Sequence, residues 1–100
     1  MKFVATFGHW IDEEETGPVP KSAFEDLHFL VEEESFDRAL TRARQYEWLE
    51  THSFEGIGAI VSLRHANSHD VARITPITIY DEYLRLARQA RENQKLRSVN

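Results

Sequence analysis

The stretch Phe29–Glu50, FLVEEESFDRALTRARQYEWLE, constrains the fold of this chain more than any other. It holds the end of a strand, a helix start signal and a helix with one apolar face in a single run. Leu27, Phe29 and Val31 alternate with Asp26, His28, Leu30 and Glu32, the period of two that a half-buried strand requires. Leu30 breaks the polar side, so either both faces are partly covered or the strand ends there. Glu32, Glu33 and Glu34 follow, then Ser35, whose hydroxyl can accept from the first free N–H groups of a helix. Asp37 sits where a carboxylate favours the positive end of the helix dipole. Arg38 occupies the position at which a capping box needs Glu or Gln, so the box is absent. Phe36, Ala39, Leu40, Ala43 and Tyr46 recur at helical spacing and predict a helix over 36–50 with that face inward.

Before this seam, residues 2–11 alternate as a strand. Phe3, Ala5, Phe7, His9 and Ile11 share the apolar side, and Val4, Thr6, Gly8 and Trp10 the other. Residues 12–22, DEEETGPVPKS, read as an acidic loop punctuated by Gly17, Pro18 and Pro20. A hairpin to a second strand at 24–32 follows, with a connection longer than most. After the helix, THSFEG (51–56) reads as a turn and 57–65 as a third strand, in which Gly56 and Gly58 leave room for a helix to pack closely. HANSHD reads as a turn with Asn67 and Ser68 at its apex. Residues 71–77 read as a short edge strand, because Pro76 cannot donate to a ladder. A second helix over 79–93 follows, with Ile79, Tyr83, Leu86, Ala87 and Ala90 on its inner side, and 94–100 as a frayed tail. The order β-β-α-β-β-α predicts one α+β domain over residues 1–100, a mostly antiparallel sheet with two helices packed on one face.

Composition bounds function mainly by exclusion. The chain has 100 residues and no cysteine, so disulfides and thiolate chemistry are absent. No apolar run nears the roughly 20 residues of a membrane-spanning helix. The start, MKFVATFGHW, is followed by acidic residues rather than a cleavage site, which argues against a signal peptide; a cytoplasmic location is the expectation. The net charge of −5 is unevenly spread: twelve acids against five bases over residues 1–50, five acids against seven bases over 51–100. Such halves usually reflect solvated faces, and they can also give a molecule one negative and one positive side.

No catalytic set emerges. His65 and His69 have a zinc-compatible spacing only on a helix, and the turn signals around Asn67 remove that geometry; no metal or other cofactor is expected. His9, His28 and Ser53 have no nucleophile elbow around them. The carboxylates come in runs rather than as an isolated pair in an apolar setting. Arg85, Arg88, Arg91 and Lys95 form a basic stripe on the last helix that could neutralise phosphates, against the overall acidity. Trp48 falls off the Phe36–Leu40–Ala43 face and is either an interface anchor or folded back on the core. Trp10 lies beside the acidic loop.

The expectation from these features is a non-catalytic small acidic protein that binds another protein stoichiometrically. A toxin-neutralising or phage counter-defence inhibitor that masks a basic, nucleic-acid-binding surface would have this character. Its contact residues would be Asp12, Glu13, Glu14, Glu15, Glu32, Glu33, Glu34, Trp48 and Trp10. Two alternatives use other residues: a homodimeric small-ligand or enzyme domain with a cleft between sheet and helices, and a nucleic-acid binder working through Arg85, Arg88, Arg91 and Lys95.

Overall fold

The computed structural model describes residues 1–11, 26–52 and 55–98. The acidic loop with Asp12–Glu15, and residues 24 and 25 of the expected second strand, lie outside the described residues. The elements are β1 (Lys2–Ile11), β2 (Leu27–Glu32), α1 (Phe36–Arg44), β3 (Glu50–His52), β4 (Glu55–His65), α2 (Ser68–Arg73), a 3₁₀ turn (Ile77–Tyr80) and α3 (Asp81–Ser98). The strands form one sheet in the order β2-β1-β4-β3, antiparallel at every pairing. The α+β, antiparallel expectation therefore holds.

The alternation in β1 and β2 builds the core directly. Register pairs Phe3 with Val31 and Ala5 with Phe29, so the apolar sides of both strands share one face. Phe3, Ala5, Phe7, Phe29 and Val31 are buried there beneath Ala39 and Ala43 of the first helix, Tyr46 in the turn that follows it, and Ile77 of the 3₁₀ turn. Ser35 caps α1 as expected, accepting from the Arg38 N–H at 3.2 Å. Tyr80 stands edge-on to Phe29, with ring centroids 5.3 Å apart.

The second face of the sheet explains Leu30. Val4 and Leu30 are buried as well. Arg64, the cross-strand neighbour of Val4, makes a bidentate ion pair with Asp70, at 2.7 and 3.1 Å. That pair places α2 on the second face. From α2 the chain rounds the outer edge of β2, where the Leu30 N–H donates to the Thr75 carbonyl at 2.9 Å. It then returns to the first face as α3. Leu30, opposite Val4 and bridged to Pro76, is buried where the chain makes that passage.

Several expected elements are corrected by this path. Three helices, rather than two on one face, pack on the sheet, with α2 opposite the others. The helix expected over 36–50 stops at Arg44: residues 45–47 tighten into turns whose N–H groups reach back three residues, and Trp48 then takes a left-handed φ of 61° ahead of the sheet. Glu50, expected to end the helix, and residues 51 and 52, expected in the 51–56 turn, form the short edge strand β3, too brief to show an alternation, and Glu55 and Gly56 of that expected turn open β4. HANSHD is not a turn. Asn67 is the N-cap of α2, accepting from the Asp70 N–H while Asp70 accepts from the Asn67 N–H, both at 2.9 Å. The strand expected at 71–77 is the end of that helix followed by a single parallel bridge between Leu30 and Pro76. The last helix begins at Asp81 and runs to Ser98, through most of the expected tail. Tyr83, Leu84 and Ala87 are its inner side, continued by Tyr80 of the preceding 3₁₀ turn, while Ile79, Leu86 and Ala90 are exposed. Phe36 is not core but 43% exposed at the margin, edge-on to Phe3.

The glycines serve strands rather than a helix. A Cβ on Gly58 would stand 2.9 Å from the Gly8 carbonyl oxygen, so these two backbones approach closely across β1 and β4.

The Arg64–Asp70 pair yields a pH prediction. Its guanidinium, helped by the Asn67 N–H, holds the Asp70 carboxyl down at about 2 against an ordinary 3.8. Because the folded value is depressed, the pair stabilises the fold fully above about pH 4 and loses its contribution as pH falls towards 2. Thermal melts of Asp70→Asn should lie below wild type at pH 5 and converge with it at pH 2. A gap of constant size across that range would remove the assignment.

Candidate interaction surface

The expected contact residues do not form one patch. Glu32 stands opposite Lys2 at one end of β1, and Trp10 opposite Gly56 at the other. The eight residue steps from Lys2 to Trp10 span about 26 Å at the strand rise of about 3.3 Å. At the Glu32 end the acid cluster is largely compensated. Glu33 accepts from Arg42 at 3.1 Å and Glu34 from Arg38 at 2.8 Å, while Glu32 is exposed with no ion-pair partner among the described residues. The other end gathers both tryptophans around the β3–β4 hairpin. Trp10 is half-buried and lies across Gly56, whereas Trp48, two residues before β3, is 67% exposed.

The local structure around Trp48 is tightly specified even though its side chain is not packed. The Leu49 N–H donates to the Tyr46 carbonyl at 3.3 Å, and the Ile57 N–H to the Leu49 carbonyl at 2.9 Å. Glu47 accepts from the Ile60 N–H at 2.9 Å, so its carboxylate occupies a backbone donor of β4 that β3 is too short to reach. Trp48 is thus held between two anchored neighbours with its indole outward. Sequence periodicity placed it off the helix face; the left-handed backbone has no signal in the sequence, because that position usually carries Gly or Asn.

Beside it, a groove of about 440 Å³ runs between β3 and α3, with Leu49, Tyr83, Leu86 and Ala87 supplying its apolar surface. Leu86 is 50% exposed, and His52 meets the Tyr83 ring edge-on. This groove is not legible in the sequence, where residues 50–52 carry the end of a helix pattern and the start of a turn rather than a strand.

A larger cleft of about 910 Å³ separates α1 from α3 rather than sheet from helices. Its walls carry charges of both signs, among them Asp37, Arg42, Asp81 and Arg88. Tyr46 donates a hydrogen bond to Asp81 here, and burial, followed by that bond, pushes its hydroxyl up to about 12. Of the basic stripe on α3, Arg85 pairs with Glu82, Arg88 reaches across to Gln45 at 2.9 Å, and Arg91 and Lys95 are exposed. The histidines are dispersed. His9 lies 3.5 Å from Glu55 and His52 3.8 Å from the same carboxylate, His28 shares a hydrogen bond with Thr6 at 2.9 Å, and His65 packs on Phe3. Among the described residues no group of three His, Cys, Asp or Glu side chains could hold a metal ion, and no helix is long and apolar enough to cross a membrane.

Fold and surface together define an antiparallel α+β protein with one edge strand flanked by an apolar groove and an outward tryptophan. No protein-family model, curated protein or solved structure matches the chain.

Proposed function

We propose that this chain is a non-catalytic protein that works by stoichiometric binding to another protein, with Trp48 anchoring the contact. The observation that carries this reading is the combination of a φ of 61° with 67% exposure at Trp48. A left-handed backbone costs a residue with a Cβ roughly 1–2 kcal/mol. A buried tryptophan could offset that cost by packing; an exposed one does not. Strain retained without a packing return points to a role outside the fold, and tryptophan is the side chain most enriched among interface anchors. The net charge of −5 favours a partner with a basic surface, with attraction speeding the encounter. An inhibitor that covers a nucleic-acid-binding surface, of toxin-neutralising or phage counter-defence type, fits those terms.

Trp48→Gly separates fold from function. Relief of the strained backbone should raise stability by about 1 kcal/mol, which for a chain of this size lifts the Tm by about 4–8 °C. The same variant should fail to retain the partner that wild type retains in affinity capture from the native host. Equal recovery of that partner by a stabilised Trp48→Gly would dispose of the anchor.

A further inference from the structure

We infer that the partner docks through an extended segment, apolar at alternate positions and basic between them, which adds as a strand to the outer edge of β3 and sets its apolar side chains in the groove against α3. This rests on the protein-binding reading above and names the chemistry of the partner. Three independent features converge on it.

The first is the edge. β3 is the last strand of the sheet, and among the described residues no strand pairs with its outer side. Leu49 turns its carbonyl inward to the Ile57 N–H; strand alternation therefore turns the N–H and C=O of Glu50 outward, free to bond an added strand. The second is the groove. Leu86 is 50% exposed directly beside that edge, and Leu49, Tyr83 and Ala87 continue the apolar surface. An added strand places every second side chain over this groove and the others away from it. The third is charge. Glu50 is exposed, and among the described residues no Lys or Arg lines the groove. Cations at the alternate positions of the incoming segment complement that rim, and its end lies next to Trp48.

Panning a displayed library of random dodecapeptides against the purified chain supplies the probe. Selected peptides, resynthesised, should alternate apolar residues with Lys or Arg and shift the amide signals of Glu50 and His52 in NMR titration. N-methylation of alternate peptide residues removes backbone donors, and should weaken binding about tenfold; Leu86→Arg in the protein should do the same. Binding that survives alternate N-methylation, shifts confined to other elements, or no selected peptide would each overturn strand addition. A concentration-dependent dimer abolished by Leu86→Arg would assign the groove to a second copy of this chain and overturn it equally. The two readings fail separately. Peptide binding indifferent to N-methylation yet lost in Trp48→Gly removes strand addition and leaves the anchor. Binding sensitive to N-methylation yet unchanged in Trp48→Gly does the reverse.

Discussion

Phe7→Ala is expected to lower stability by about 3–5 kcal/mol, a large part of the roughly 5–15 kcal/mol available to a domain of this kind. Phe7 has no exposed surface. It sits in β1, the strand flanked by β2 and β4, with Leu27 on one side and Ile60 on the other, and its ring faces Phe29 at 6.2 Å. Sheet and helices close over it from both directions, so the cavity left by truncation cannot collapse. Urea denaturation should show a lower midpoint with little change in slope. Phe36→Ala is the informative control. Helical periodicity assigns Phe36 to the core as firmly as any residue, yet it is 43% exposed. It should cost less than half as much as Phe7→Ala, and equal losses would mean that Phe36 is buried after all.

Gly56→Val should cost about 3 kcal/mol for a different reason. A Cβ at Gly56 would lie 2.4 Å from the Leu49 carbonyl oxygen and 2.6 Å from Nε1 of Trp10. The indole could swing aside. The carbonyl cannot, because it accepts from the Ile57 N–H and joins β3 to β4. The expected result is a detached β3 together with a displaced Trp10, read as a lower Tm and a red-shifted tryptophan emission. Gly8→Ala makes the comparison. Its nearest neighbour would be the Ala59 carbonyl at 3.9 Å, an ordinary contact, so the change should stay within about 1 kcal/mol.

What could be read from the sequence followed wherever a residue pattern was long enough to carry a period. Phe3, Ala5, Phe7, Phe29 and Val31 alternate over enough positions to reveal their strands, and Ala39, Ala43 and Tyr46 over enough turns to reveal α1. β3 has three residues, fewer than an alternation needs. The capping box at Asn67 and Asp70 uses Asn and Asp, residues that also make turns, and the turn reading won although tertiary burial of Asp70 decides for the helix. Over the 3₁₀ turn and α3 the apolar residues Ile79, Tyr80, Tyr83, Leu84, Leu86 and Ala87 admit two adjacent stripes, and only the sheet beneath selects the one with Tyr80 and Leu84. The candidate surface was legible in one residue, Trp48. The groove beside it depends on β3 and Leu86, both misplaced by local pattern alone, and Asp12–Glu15 lies outside the described residues.

The passage of the chain around β2 has a kinetic consequence. Residues 66–80 run from the second face, past the edge at Leu30 and Thr75, to the first face. α2 and α3 therefore have no surface to settle on until β1, β2 and β4 have paired. Pairing β1 with β4 joins residues such as Phe3 and His65, and a contact so distant in sequence should set the slow step of folding. The C-terminal third arrives after it, and mutations there should accelerate unfolding while leaving the folding rate nearly untouched. In native-state hydrogen exchange the same third should be the first unit to open. A single backbone cut between Ala66 and Thr75 would loosen both layers of the molecule together.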